Sequence, residues 1–267
     1  MTLLPATAET QMLDKNRHFY NSLWGAARLV EAKHFNTWPL VESLLALYPR
    51  RLEVAPGLRP RLPIKGTHFV DISLPALDIL RQHDGNVSDA SISHLPLPSE
   101  AFDLICALDI IEHVEDDNAA LAELSRVAAA GARLLISTPL HPELWTLFDD
   151  LVGHRRRYLP EAFVALLQKH GFVVTHSAVF GMKPKSSRWV DLGMRLLQRH
   201  PKRAMWWYNK IMPLTLRFQK KLQLVPGLLD TSAVTDVLLV CERSNTPYAS
   251  IATKLSEQHT CSKGACP

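Results

Sequence analysis

The 267 residues predict a doubly wound α/β domain built on a mostly parallel sheet. Three observations carry this. Short apolar runs recur along the chain, and one of them, FDLICAL from Phe102 to Leu108, is apolar enough to be a strand buried on both faces. Segments with apolar residues at helical spacing separate these runs, and strands alternating with helices read as parallel βαβ units. A composition of 47% hydrophobic and 21% charged residues suits an ordinary globular domain long enough to bury a sizeable core.

Residues 1–48 read as a helical cap. Phe19, Leu23, Ala26, Ala27 and Val30 recur at helical spacing through FYNSLWGAARLVEAKHF, and Pro39 suits the first turn of a second helix. Tyr20, Trp24 and Trp38 either anchor this cap in the core or line an acceptor pocket. The core is expected over 49–180. Leu52-Glu53-Val54-Ala55 is its first strand, entering a Pro-Gly turn, and Thr67 to Asp71 its second. The intervening PGLRPRLPIKG holds three prolines, whereas a parallel crossover takes about a dozen residues and usually a helix. Here the helix must be very short or absent.

A helix from Pro75, a brief strand from Asn86 to Asp89 and the loop HLPLPSEAF lead to FDLICAL. A helix over DDNAALAELSRVAAAG follows, capped by Asp116 or Asp117 and ended by Gly131. Next come a buried strand, ARLLISTP, stopped by Pro139, and a helix with Pro160 near its start and Gly171 at its end. FVVTHSAVF and VTDVLLVCER complete seven strands; with no crossover helix pattern between them, they suggest an antiparallel ending. Residues 181–233 are then an insertion, 234–243 the last core strand, and 244–267 a disordered tail with Cys261 and Cys266 unpaired. Cys106 and Cys241 fall in apolar runs as small core residues.

The net charge of +4 is mild, but its distribution is not. Lys183 to Lys221 contains eleven Lys or Arg and one acid, Asp191, interleaved with Met205, Trp206, Trp207, Tyr208, Met212 and Phe218. LGMRLLQ and AMWWYNKIMPLTLRFQKKLQL read as two helices, the second kinked at Pro213. Such a segment is expected to form a lid that touches an anionic membrane surface transiently. A solvated lid ranks second, and nucleic acid third, because the stretch is too apolar for a phosphate-tracking groove. No apolar run reaches the roughly 18 residues of a membrane span, and no basic-then-apolar leader is visible. The expectation is a cytoplasmic protein, peripheral to the inner face of the membrane.

The ordered set of strand-acid, strand-acid, LPLPSEAFDLI, DIIEHVEDD, LLISTP and HGF resembles a class I S-adenosylmethionine-dependent methyltransferase of type 11. The resemblance covers roughly Leu52 to Phe180 and Val234 to Glu242. Gly153-His154-Arg155-Arg156-Arg157-Tyr158 is similar to the GHxRRY loop of certain bacterial methyltransferases. It implies a Rossmann-like fold, S-adenosyl-L-methionine as cofactor, and methyl transfer to a small-molecule or lipid-like acceptor, most often at oxygen. The family turn, acid-x-Gly-x-Gly-x-Gly, stands here as Glu53-Val54-Ala55-Pro56-Gly57-Leu58-Arg59. Only the middle glycine, Gly57, is kept; Ala55 replaces the first, and Arg59 is expected to pair with the cofactor carboxylate.

By the same resemblance Asp71 serves the ribose hydroxyls, Asp89 the adenine amino group, and Asp109 the sulfonium or the acceptor. The competing reading of each acid is a helix cap or a solvated loop. Asp109-x-x-Glu112-His113 is also similar to the acid-x-x-Glu-His of quinone-ring O-methyltransferases, where a divalent cation is implicated; hydrogen bonds holding the loop, without metal, are the preferred reading. Asp109 and His113 mark the expected methyl position, and His154 is the natural base near neutral pH. Arg155, Arg156 and Arg157 are either acceptor contacts or a salt-bridged loop, and Arg157 and Tyr158 are expected to complete the pocket wall with Tyr20 and Trp24. The degraded glycine turn keeps a second reading open, a methyltransferase-fold protein that binds or regulates without catalysing.

Overall fold

Eight strands make one sheet in the computed structural model, which describes residues 8–181, 196 and 199–244. The tail with Cys261 and Cys266, and nearly all of the expected helix LGMRLLQ, lie outside those residues. The strands are β1 (Arg51–Val54), β2 (Thr67–Asp71), β3 (Asn86–Asp89), β4 (Phe102–Leu108), β5 (Ala128–Pro139), β6 (Phe172–Val179), β7 (Val225–Pro226) and β8 (Asp236–Arg243). Their spatial order is β3-β2-β1-β4-β5-β8-β6-β7. The five strands from β3 to β5 are parallel, and β8 runs antiparallel between β5 and β6, the ending the sequence suggests. The eighth strand is β7, two residues of the insertion on the edge at His176 and Ser177, too short to leave a periodic signal. The direction of winding reverses between β1 and β4, where open sheets of this kind bind ligands.

β4 shows why an apolar run was needed. Side chains alternate across a strand, so Ile105 and Ala107 join Leu121 and Leu124 in one core layer, while Leu104 and Cys106 meet Val41 in the other. Those partners belong to α4 (Asp117–Val127) and α2 (Trp38–Leu45), on opposite faces of the sheet. Asp116 caps α4 by accepting from Ala119 N. Gly131, however, does not end that helix. The helix stops at Val127, Ala128 already pairs with Phe102, and Gly131 takes its left-handed φ of 74° inside β5, beside a register shift in the β4–β5 ladder.

No helix joins β1 to β2. The connecting loop is held from beneath instead: Leu58 and Leu62 are fully buried, and the Glu53 carboxylate accepts from Arg61 N at 2.8 Å and Leu62 N at 2.9 Å. Burial raises the Glu53 pKa to about 7 against those hydrogen bonds.

The cap departs from one expectation. α1 (Ala8–Ala26) stops short of Val30, because Arg28 N donates to Asn209 and Val30 N to the Leu58 carbonyl, long-range bonds that replace the helical ladder. Within the insertion, α7 (Pro201–Leu216) packs Met212 and Leu216 on Phe35 of the cap. Asn209 Nδ2 also donates to the Ala26 carbonyl. The described part of the insertion therefore docks on the cap and does not line the cleft described below.

Candidate active site

A cleft of about 300 Å³ opens at the carboxyl ends of β1 to β4. Val54 and Ala55, then Asp71 and Ile72, then Ala90 to Ile92, and finally Ile110 and His113 supply its walls in strand order. Asp71 is fixed by two backbone donors, Gly57 N to Oδ2 at 2.9 Å and Ser73 N to Oδ1 at 2.8 Å. Burial nevertheless lifts its pKa to about 6. Ala55 (φ 55°) and Asp109 (φ 51°) leave β1 and β4 in the left-handed region, which costs a non-glycine residue roughly 1–2 kcal/mol. Asp109 is locked there: its N donates to Ser137 Oγ, which donates back to Asp109 Oδ1 at 2.7 Å. Strain at two adjacent strand exits is what a functional cleft tends to store. A wider depression beside Ser93–Pro96 and α4 is shallow, and its one acid, Glu123, is already taken by Leu95 N and Arg126.

α1 crosses the turn after β1. A Cβ built on Gly57 would lie 2.3 Å from Trp24 Cε2, so the glycine is what admits this indole. Tyr20 stacks on Trp24 with centroids 6.5 Å apart and meets the His113 ring edge-on at 6.0 Å. Burial, reinforced by the Glu112, Asp71 and Asp109 carboxylates, holds its phenol well above the usual range. Two expected cofactor contacts are spent here. Arg59 Nη1 donates to the Arg28 and Leu58 carbonyls, with its guanidinium against the Trp24 and Tyr208 rings, and Arg59 is not among the residues lining the cleft. Asp89 takes two hydrogen bonds from Arg17 of α1, and Ala90, Ser91 and Ile92 form the cleft wall in its place. Glu53 faces the loop beneath the turn and not the cleft.

At the other end of the cleft a tight turn, Ile111–His113, directly follows β4. The loop after α5 (Leu147–Val152) brings His154 to it, its rings 4.7 Å from His113. His154 Nδ1 lies 2.7 Å from Asp149 Oδ1, and Nε2 lies 3.7 Å from Glu112 Oε1. Burial alone would push the Asp149 carboxyl up; hydrogen bonds from Arg157, Thr146 and His154 outweigh it and hold the carboxyl well below the usual range. His113 is pushed down to about 3 by burial and then by His154, so it is neutral at physiological pH, and among the described residues its Nδ1 has no hydrogen-bond partner. Glu112, His113 and His154 each present a ligand atom within 4.8 Å of the others. Two imidazoles and a carboxylate are a donor set for a transition metal; Asp109 is not part of it.

All three arginines of the loop are in ion pairs, and only Arg155, with Glu115, also lines the cleft. Arg155 pairs with Glu115, Arg156 with Asp117, and Arg157 with Asp149. Arg157 and Tyr158 therefore turn inward and do not form pocket wall: the Arg157 side chain is 3% exposed, and Tyr158 donates its hydroxyl to Asp117 inside the main core. Asp149, which sequence reasoning missed, carried one local signal, the capping box that it forms with Thr146. Arg17 carried none.

A family model described as a methyltransferase domain matches residues 57–136, the turn after β1 through the middle of β5. Over those residues the chain is similar to a methyltransferase domain. Among curated relatives, ajmaline N-methyltransferase of Rauvolfia serpentina is 40% identical over 65 residues, 24% of this chain and 22% of that protein. The ubiquinone/menaquinone biosynthesis C-methyltransferase of Psychromonas ingrahamii is 41% identical over 70 residues, 24% of this chain and 28% of that protein. The chain thus matches about a quarter of the length of either. A solved S-adenosylmethionine-dependent methyltransferase of Thermotoga maritima, described as a possible histamine N-methyltransferase, shares the fold at a TM-score of 0.52 and 18% identity, covering 88% of this chain and 93% of that one.

The methyl donor of this class of domain is S-adenosylmethionine, and the cleft can be tested against it. Aliphatic walls from Val70, Ile72, Ala90, Ile92 and Ile110 with one fixed carboxylate, Asp71, suit a nucleoside. Ala55 and Gly57 keep the left-handed turn that receives the amino-acid end in the family, with Trp24 packed against it. The residues fit the donor, and its nucleoside end more fully.

Proposed function

We propose that this chain is a methyltransferase that moves a methyl group from S-adenosylmethionine to a hydroxyl oxygen of a small or lipid-like acceptor. One observation carries the reading: a buried Asp149–His154–Glu112 line lies directly behind His113, which lines one end of a nucleoside-sized cleft. The donor supplies an electrophilic methyl group on a sulfonium cation. Asp149 accepts from His154 Nδ1 and fixes that tautomer, which turns Nε2 toward Glu112 as the proton acceptor. His154 takes the hydroxyl proton, and the Glu112 carboxylate stabilises the imidazolium so formed. Tyr20 packs on the His113 ring, and Ile110 lines the cleft beside it, so both limit water there. A hydroxyl is a weak nucleophile and needs such a base, whereas alignment alone serves a better one.

Calorimetric titration with S-adenosylmethionine and its demethylated product tests the donor. Transfer of labelled methyl to hydroxylated acceptors tests the reaction. His154→Ala is expected to slow transfer by roughly 10²-fold or more while donor affinity stays. Absence of donor binding at physiological concentration would defeat the proposal. The Trp24 indole on Gly57 favours a second reading, a methyltransferase-fold protein that binds or regulates without catalysing. Under that reading the wild type fails to bind donor and Trp24→Ala gains binding.

A further inference from the structure

α7 is apolar on both faces. With about 3.6 residues per turn, Met205, Tyr208, Met212 and Leu216 fall on one stripe, and that stripe meets the cap: Met205, Met212 and Leu216 are buried, and Tyr208 packs beside Phe35. Trp207, Ile211 and Leu214 fall opposite, with Phe218 one turn on. Trp207 is 51% exposed and Phe218 79%. A surface helix should present charged or polar residues on that side. Here the polar residues it does present have one sign. Arg203, Lys210 and Arg217, seven apart, form an exposed basic row along the edge of the apolar stripe, and Lys220 and Lys221 follow, also exposed. Among the described residues none of Arg203, Lys210 and Arg217 is in an ion pair. From 199 to 229 the sequence contains no Asp or Glu. Lys210 Nζ instead lies over the Trp206 ring at 4.4 Å.

We propose that the outer face of α7 docks flat on an anionic lipid bilayer, with Trp207, Ile211, Leu214 and Phe218 entering the headgroup boundary and the basic row meeting lipid phosphates. Charge chooses the occupant. An apolar stripe alone would suit a second copy of the chain, but a second copy brings its own basic row against this one. A polyanionic nucleic acid would match the charge and leave four large apolar side chains without a partner. An anionic bilayer satisfies both halves of the face. No helix of the described residues is long and apolar enough to cross a membrane, so the contact is parallel to the surface. α7 also meets the segment after β1: Tyr208 and Trp24 flank the Arg59 guanidinium, and Asn209 ties α7 to the end of α1. Docking thus places the turn after β1 close behind the bilayer.

The test is flotation of the full chain with vesicles of phosphatidylcholine alone or with phosphatidylglycerol added. Binding to the anionic vesicles only, weakening as salt rises, is expected. Trp207→Ser with Phe218→Ser should lower the partition coefficient by tenfold or more, as should Lys210→Glu with Arg217→Glu, at roughly three- to fivefold per charge removed and more on reversal. All four positions point outward, so unchanged thermal unfolding of each pair shows that the fold is intact. A wild-type chain that stays with the unbound fraction on anionic vesicles overturns the proposal. So does a dimer dissociated by Trp207→Ser, or single-stranded RNA binding that survives the loss of Trp207 and Phe218. Flotation needs no reaction, so its result is separate from that of the transfer assay.

Discussion

Replacing Gly57 with alanine isolates the contact on which the candidate site turns. The substitution has two costs. Gly57 holds φ at 52°, where a Cβ costs roughly 1–2 kcal/mol. The new Cβ would also lie 2.3 Å from the Trp24 indole, an overlap that forces either the helix or the turn to move, and overpacking of this kind costs about 1–3 kcal/mol. Gly57→Ala should therefore destabilise the protein by about 2–5 kcal/mol in a urea titration. Trp24→Ala removes the obstacle and leaves the backbone strain. In that background the same Gly57→Ala change should cost only the first part, about 1–2 kcal/mol, and the double-mutant cycle should show a coupling of about 1–3 kcal/mol. If Gly57→Ala costs the same in both backgrounds, to within about 0.5 kcal/mol, α1 does not lie on the turn and the account of Tyr20 and Trp24 given above is wrong.

Two further outcomes follow from buried carboxylates. Glu53 has a folded pKa of about 7, raised by burial above its ordinary 4.5, so the folded state binds the proton more tightly. Its contribution is fully present below pH 4.5 and is lost as pH rises toward 7, by roughly 3 kcal/mol; Glu53→Gln, which keeps an acceptor for Arg61 N and Leu62 N, should flatten that slope in thermal melts across pH 5–8. Asp149 behaves in the opposite sense: its folded pKa is depressed, so its contribution is present above about pH 4 and lost as pH falls below it. Asp149→Asn leaves the Arg157 guanidinium buried without its carboxylate and should cost about 3–5 kcal/mol in urea, enough to show as a lowered midpoint at neutral pH.

Much of the frame was legible in the chain. FDLICAL declared a strand buried on both faces because only Asp103, beside its start, is polar, and its two layers of partners are those of β4. The Asp116-Asp117 pair announced the start of α4, and the proline-rich stretch after Val54 announced a crossover with a very short helix or none. The bounds of α1 and the place of Gly131 were not legible, since each depends on a hydrogen bond or strand pairing made with a distant segment.

The sequence by itself determined seven of the eight strands, the acids at their ends and the retained Gly57. Tertiary structure decided what those groups face. Asp89 is claimed by Arg17 from 72 residues away, Arg59 by carbonyls and rings of the cap and α7, and Arg157 and Tyr158 by the interior. The physical reason is reach. Apolar periodicity is written in neighbours three or four residues apart, whereas a charged group takes whichever counter-charge folding brings within hydrogen-bond distance, and no local spacing encodes that choice. His154 shows both sides of this: its residue type named it as a base, and only the packing of α5 against the end of β4 placed it between Asp149 and Glu112.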